Sequence, residues 1–344
     1  MNLKELAAQL GLSKATVSRA LAGHPDISLQ TRQRVQAAAE AASYTPAATA
    51  LNLRAGKSGA IGVVLPNTQT PFEHSFHSEL VSGLAEKAAE VNLDLVIAVP
   101  PPEGDEIMAI KRLVEGRRVD SIVITRTRVV DERVDYLLAR GFPFASLGRT
   151  SQSDKHPWLD FDGHLAMLTA TRRLVALGHR RIAYLGAPAV YLFAGHRLSG
   201  YRAGLTEAQI PLDPAIEKIA ELIDDVATLP IAALLAADPS ITAILCATDA
   251  MAISALNAIR QIGKQGGRDI SVIGYGDLPY AAHTDPPLTT TTLMSHAAGR
   301  RIIELLVKHV KGEPTATLQE LWPPQLLRRQ SDRPPVSQTL AAAP

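Results

Sequence analysis

Short apolar runs alternate with segments of helical periodicity from residue 60 to residue 311, and this alternation constrains the fold more than any other feature of the sequence. The runs have the length of buried strands and span residues 60–65, 95–99, 121–125, 144–147, 182–185, 243–247 and 271–275. Apolar residues recur at helical spacing in 79–91, 107–115, 165–177, 250–262 and 297–311. Strand and helix in alternation predict an α/β body with parallel sheets, and the units suffice for two doubly wound sheets.

The first 46 residues have a different pattern, which predicts three short helices. Asn2 and Gly11 delimit a helix over 3–10, and Ser13 is an N-cap for a second helix over 14–21. Ser28 opens a third helix that continues to residue 42. Large apolar residues are few here, so we expect a small all-α head that is only marginally stable alone.

Charge is distributed unevenly between this head and the rest of the chain. The net charge of the whole chain is +1, but residues 1–59 hold seven basic and three acidic side chains, a balance of +4. The remaining residues hold 28 basic and 31 acidic side chains, a balance of −3. A basic head on a slightly acidic body predicts that the head binds a polyanion such as DNA.

The second helix of the head has the side chains that a helix needs in order to enter the major groove. Long, small or polar residues lie opposite Val17 and Leu21, as a recognition helix requires. We predict that DNA contacts come from Lys14, Ala15, Thr16, Ser18, Arg19, Ser28 and Thr31. Arg19 could bond a guanine in a bidentate way, whereas Thr16, Ser18, Ser28 and Thr31 suit phosphate contacts. The alternative is a solvated helix surface without DNA function.

Several segments resemble the lactose-repressor (LacI/GalR) family of transcription regulators. The run LKELAAQLGLSKATVSRALAGHPDISLQTRQRVQAAAEAASYTP is similar to the family's helix-turn-helix head. GAIGVVLPNTQTPF, LVALGHRRIAYLG, RLSGYRAGL, ATDAMAISAL, ISVIGYGDLP and DPPLTTT resemble its body segments in the same order. The resemblance implies a DNA-binding head, a hinge helix and a two-lobed effector domain like that of periplasmic sugar-binding proteins, assembled as a homodimer on double-stranded operator DNA.

The same resemblance assigns roles to particular head and hinge residues. It places Lys14, Ala15 and Arg19 at base-reading positions and Leu53 at the leucine that wedges into the minor groove. An apolar wedge kinks DNA by partly unstacking a base step, so hinge order should depend on DNA and on dimerisation. The chain has Ala47 and Ala48 where the family commonly has Asn and Arg.

These observations predict the domain boundaries. The head covers residues 1–46 and the hinge 47–58. The first lobe of the body comprises 59–158 and 293–319, and the second comprises 159–292 and 320–330. The last stretch, 331–344, is rich in Pro, Ala and Ser and is predicted to be disordered.

Polar and aromatic residues near the predicted strand ends are the candidates for binding a small effector. Ligands of doubly wound sheets bind at the carboxyl ends of the strands, and a sugar needs bidentate hydrogen-bonding groups plus an aromatic face. We predict effector contacts from Phe72, Arg126, Arg149, Trp158, Asp160, Arg197, Asp249 and Asp277. The resemblance implies that Arg197 clamps the effector. For Asp249 the sequence leaves open whether the carboxylate binds the effector or caps a helix.

Other function classes find little support in the sequence. It has neither a P-loop nor a dinucleotide-binding glycine series and no nucleophile elbow, so we expect no enzyme and no cofactor. His74 and His77 lie one helical turn apart, but solvated helix residues explain them better than a metal site. Cys246, in an apolar run, favours core packing. No signal peptide or membrane span is evident, which predicts a cytoplasmic protein without membrane contact.

Three hypotheses follow from the sequence. The first is a transcription regulator that acts as a repressor and responds to a sugar or glucoside. The second is the same architecture responding to a purine or sugar phosphate. The third is a transport-type binding protein without DNA function, which the helix-turn-helix and the absence of an export signal disfavour.

Overall fold

A computed structural model describes residues 2–21, 23–42, 44, 57–66, 71–101, 104–220 and 228–336, with backbone alone for 71–75 and 228–230. Two compact units, Met1–Gly59 and Ala60–Pro344, make up the chain. Three residues of the predicted hinge lie outside the described residues. They are the predicted minor-groove wedge Leu53 and the two residues that differ from the common family pattern, Ala47 and Ala48.

The head consists of helices α1 (Leu3–Leu10), α2 (Lys14–Leu21) and α3 (Leu29–Ala41), as predicted to within a residue. Asn2 and Glu5 form a capping box at the start of α1, and Gly11, at a φ of 66°, ends it. Ser28 caps α3 by accepting the Thr31 N–H. The three helices pack around a small apolar core formed by Leu6, Ala7, Leu10, Val17, Ala20, Val35 and Ala39.

The first lobe of the body is a parallel sheet of six strands with helices on both faces. Its strands are β1 (Ala60–Val64), β2 (Asp94–Ala98), β3 (Ser121–Ile124), β4 (Phe144–Leu147), β5 (Trp158–Phe161) and β11 (Gln319–Trp322), in the order β11-β5-β4-β3-β1-β2. Its helices are α4 (Pro71–Glu90), α5 (Glu106–Glu115), α6 (Glu132–Ala139) and α11 (Ser295–Val310). One apolar core lies under α4 and α11 and another under α5 and α6, so the sheet is doubly wound.

The second lobe repeats this architecture around a smaller parallel sheet. Its strands are β6 (Ile182–Gly186), β7 (Glu217–Ile219), β8 (Ala243–Cys246) and β9 (Ser271–Ile273), in the order β7-β6-β8-β9. Its helices are α7 (Gly163–Ala176), α8 (Leu192–Glu207), α9 (Thr228–Ala237) and α10 (Asp249–Gln261). β10 (Thr290–Thr292) pairs antiparallel with β12 (Gln325–Leu327). Cys246 is fully buried in this core.

The structure confirms the predicted fold class but moves two lobe boundaries. The chain passes between the lobes near residues 162, 293 and 323, not at 158/159 and 319/320. The reason is that residues 159–161 and 320–322 pair with each other inside the first sheet, in a register that joins Trp158 to Gln319 and Phe161 to Trp322. These short strands lack the long apolar run that identified the others.

The prediction of disorder from residue 331 onward is wrong for residues 331–336, which the structure describes. Ser331 and Asp332 are buried, and the Ser331 hydroxyl donates to the Val272 carbonyl and accepts the Thr289 N–H. Asp332 forms an ion pair with Arg173 at 2.8 Å. Composition suggested disorder here, but these polar side chains are hydrogen-bonded to the edge of the second lobe. Residues 337–344 lie outside the described part of the chain.

No helix in the described part of the chain combines the length and apolar composition that crossing a bilayer requires.

Candidate nucleic-acid interface and ligand cleft

The predicted recognition helix α2 exposes the side chains chosen from the sequence. Lys14, Ala15 and Arg19 are exposed, and Thr16 and Ser18 are half-buried. Val17 and Ala20 are buried against α1 and α3. The Ser13 hydroxyl accepts the Thr16 N–H at 3.0 Å, so the start of α2 is capped where a helix entering the groove presents its first residues.

The remaining predicted head contacts lie at the start of α3. The Ser28 side chain is exposed and Thr31 is half-buried. The Ser28 hydroxyl accepts the Thr31 N–H at 3.2 Å and lies 2.9 Å from the Thr31 hydroxyl. Arg34 of the same helix donates to the Leu10 carbonyl at 2.7 Å and ties α3 to α1. Hydroxyl groups at the start of a helix are suitable phosphate contacts.

Sequence reasoning missed a partner of Arg19. Its Nη1 donates to Oδ2 of Asp26 at 2.9 Å, and both side chains are about half exposed. The seven-residue separation hides this pair in the sequence, because it depends on how the turn after α2 folds back.

In the body, residues that follow the carboxyl ends of strands in both sheets meet between the lobes, in the region that we call the cleft. Arg126 and Arg149 follow β3 and β4 of the first lobe, whereas Arg197 lies in α8 after β6 of the second. The lobes also touch directly, since the Val129 N–H donates to the Val190 carbonyl at 2.8 Å. Phe72 lies in the first turn of α4, and its side chain is outside the described part of the structure.

Arg197 is held between two aromatic rings. Its guanidinium carbon lies 3.7 Å from the Tyr275 ring centroid and 4.2 Å from that of Phe193. Nη1 donates to the Ala247 carbonyl at 2.6 Å, while the buried Nε has no hydrogen-bond partner in the described structure. A guanidinium that two aromatic rings and a carbonyl hold in place keeps its remaining donors for a ligand at little cost in entropy.

The Arg149 side chain contacts Asp160 and Trp158 of its own lobe and His196 of the other. Its Nε donates to Oδ2 of Asp160 at 2.8 Å, and its Nη2 lies 3.0 Å from Nδ1 of His196 in the other lobe. The guanidinium also lies 5.6 Å from the Trp158 ring centroid. Burial and the charge of Arg149 lower the pKa of His196, so a neutral imidazole can accept this bond across the cleft.

Arg126 lies on a loop that buried charges hold in place. Its backbone has a φ of 49°, and its carbonyl accepts Nη2 of the buried Arg133 at 3.0 Å. Arg133 is ion-paired with Asp131 at 2.6 Å and with Glu106. The guanidinium of Arg126 lies 6.0 Å from the ring centroid of Tyr191 in the second lobe. The network therefore fixes the backbone of Arg126, whose side chain lies where the two lobes meet.

Asp249 and Asp277 are engaged within the second lobe. Asp249 is 1% exposed and accepts the Leu278 N–H at 2.8 Å and the Thr290 hydroxyl. Burial raises the pKa of this carboxyl to about 6. The alternative that Asp249 caps α10 is wrong, because the Thr248 hydroxyl accepts the Met251 N–H. Asp277 pairs with Arg329 at 2.7 Å. Both carboxylates support the loop after β9.

Four side chains next to the predicted ones were missed from the sequence. They are Tyr191, Phe193, His196 and Tyr275. Tyr191 and Phe193 stack with ring centroids 5.4 Å apart. The available signal was position, since these aromatic residues follow β6 and β9, where the loops of the second sheet gather.

Comparison with known proteins agrees with this geometry. Residues 2–47 match the bacterial regulatory proteins of the lacI family, and residues 171–331 match the periplasmic binding protein-like domain. The HTH-type transcriptional regulator AglR of Rhizobium meliloti (strain 1021) is 35% identical over 338 residues, which are 97% of this chain and 95% of that protein. The chain belongs to the LacI family of bacterial transcriptional regulators.

Other members of the LacI family are similar over nearly their whole length. The regulator RafR of Escherichia coli is 31% identical, over 94% of this chain and 96% of that protein. The structure of the lac repressor dimer bound to operator and the anti-inducer ONPF superposes with a TM-score of 0.80 at 27% identity, covering 97% of this chain and 99% of that one. The CelR–cellobiose complex gives a TM-score of 0.74 at 27% identity, covering 96% and 99%.

Proposed function

We propose that this LacI-family regulator binds a palindromic operator as a homodimer, represses transcription there, and is switched by a sugar or glycoside. The observation that carries the proposal is the fixed Arg197 guanidinium between two aromatic rings in the cleft. Hydroxyl groups of a sugar can accept from its remaining donors, and an apolar sugar face can stack on an aromatic ring. The CelR–cellobiose complex, whose partner is a disaccharide, supports this ligand class.

The proposed switch works through the two lobes. Residues from both lobes border the cleft, Arg149 and Arg126 from the first and Arg197 with His196 from the second. A ligand that bonds to both lobes stabilises one angle between them and thereby shifts the population of the DNA-binding form. We propose no catalytic step, because binding alone suffices for this function. A regulator of this kind acts in the cytoplasm, where the operator is.

A sugar phosphate or purine is the second candidate ligand. No carboxylate in the described structure forms an ion pair with Arg197, so its charge is available to an anion. An arginine fork fits phosphate and carboxylate oxygens as well as vicinal hydroxyls.

A thermal-shift screen of the full chain against sugars, glycosides, purines and sugar phosphates tests the ligand class. A ligand of the folded state raises the melting temperature by mass action. DNA binding is measured by fluorescence anisotropy, with duplexes selected from a randomised palindromic pool. We expect a preferred duplex whose affinity falls steeply with salt and changes when the stabilising ligand is added. If the protein prefers no duplex, with and without ligands, the proposal that it is a DNA-binding regulator is refuted.

A further inference from the structure

The turn between α2 and α3 folds an acidic residue back onto the predicted recognition helix. Gly23 has a φ of 71° and its N–H donates to the Ala20 carbonyl at 3.1 Å, while the His24 N–H donates to the Arg19 carbonyl at 3.0 Å. This is the Schellman arrangement that ends helices at a left-handed glycine. It reverses the chain so that Asp26 reaches Nη1 of Arg19.

The position of Asp26 is fixed from the side of α3 as well. Arg32 donates from Nη2 to the His24 carbonyl at 2.9 Å, and the Ile27 N–H donates to the same carbonyl at 3.2 Å. Nδ1 of His24 lies 3.2 Å from Oδ1 of Asp26. The carboxylate is therefore held at a defined place beside α2.

Stability alone does not account for a carboxylate at this place. Ion pairs as exposed as this one, with side chains 53% and 47% accessible, contribute little to stability because water screens them. An acidic group beside the helix that enters the groove also repels phosphates. Asp26 therefore weakens DNA binding in general unless it improves the contact made by Arg19.

We propose that Asp26 is a positioning residue that sets the sequence discrimination of the head. It holds the Arg19 guanidinium in one orientation before DNA arrives, through Nη1, and leaves the donors of Nη2 and Nε for a base. Ordering a long side chain in advance removes part of the entropy cost of the base contact. The negative charge of Asp26 at the same time disfavours duplexes in which Arg19 finds only phosphate.

The inference rests on the proposed function, in which Arg19 reads a base. The test uses the full chain and the duplex that it selects from a randomised palindromic pool. Affinity is measured by anisotropy at one salt concentration for that duplex, for versions with single base pairs changed, and for random duplex. The variants are Asp26→Asn, Arg19→Ala and their combination. Glu40→Gln, at an exposed residue of α3, is the matched control because it removes one charge from the same head.

We expect Asp26→Asn to lower the ratio of selected to base-changed affinity by about five-fold while random-duplex affinity stays equal or rises. Glu40→Gln should leave the ratio unchanged. In the Arg19→Ala background, Asp26→Asn should not change the ratio further. An unchanged ratio in Asp26→Asn overturns the inference, and so does an equal loss on all duplexes together with a lower melting temperature, which identifies a purely structural role. If the wild type selects no duplex, the proposed function itself fails.

Discussion

Replacing Arg197 by Ala should separate effector response from DNA binding. The side chain donates to the Ala247 carbonyl and lies between Phe193 and Tyr275, so its loss removes a preformed cationic donor from the cleft. A hydrogen bond to a charged group contributes about 1.5–3 kcal/mol, so two bonds to a ligand correspond to about 3–6 kcal/mol. The dissociation constant of the effector should therefore rise by a factor of at least about one hundred.

Calorimetric titration with the ligand found by thermal shift measures this loss, and anisotropy with the selected duplex measures operator binding. Arg202→Ala is the matched control. Arg202 lies in the same helix, but its exposed guanidinium is paired with Glu217. We expect operator affinity to be unchanged in both variants, since neither residue belongs to the head. Normal ligand affinity in Arg197→Ala, or an equal loss in Arg202→Ala, would refute the assignment of Arg197 as the clamp.

Three further predictions concern the head, the second lobe and the first lobe. Arg19→Ala should lose about 1–3 kcal/mol of discrimination between the selected duplex and base-changed duplexes, with effector affinity unchanged, as competition binding measures. The folded pKa of Asp249, about 6, lies above that of an unfolded carboxyl, so the stability linked to its proton is present below about pH 4 and is lost as the pH rises through 6. Between pH 4 and 7, the free energy of unfolding of the wild type, measured with urea, should therefore fall by about 2 kcal/mol relative to that of Asp249→Asn, and a difference that does not change with pH would contradict this. Arg133→Met leaves the buried Asp131 without its cation and should lower the free energy of unfolding by about 3–5 kcal/mol, which a loss below 1 kcal/mol in urea unfolding would disprove.

The parts of the fold that follow from the sequence are those with a strong local signal. β1, β3 and β8 are short, largely apolar runs buried on both faces, and a run of this kind between helical segments indicates an interior strand of a covered sheet. β5 and β11 were missed because each is only four residues long and includes polar residues, so neither forms an apolar run. Their pairing joins segments more than 150 residues apart, which no local pattern records.

The residues of the candidate site also divide into those that a local sequence signal identifies and those that depend on tertiary contacts. Position after a strand identified Arg149 and Arg197, because loops at the carboxyl ends of parallel strands gather at one edge. It also selected Asp249 and Asp277, whose carboxylates the structure engages with Leu278 and Arg329. Whether an acidic side chain after a strand points into a cleft or supports the next loop depends on tertiary partners, which the sequence does not encode locally.

The contacts between the lobes in the described structure are suited to a switch because they are individually weak. They include the Val129–Val190 backbone bond, the backbone bridge between Arg128 and Tyr191, and the bond from Arg149 to His196. A backbone bond contributes about 1 kcal/mol net, and a bond from a charged guanidinium about 1.5–3 kcal/mol. A ligand that adds two charge-assisted bonds, at about 1.5–3 kcal/mol each, therefore contributes an amount comparable to these contacts together. Moving an equilibrium from 1:99 to 99:1 takes about 5.5 kcal/mol of differential binding, which is within reach of such a ligand provided that it bonds to both lobes in one arrangement only.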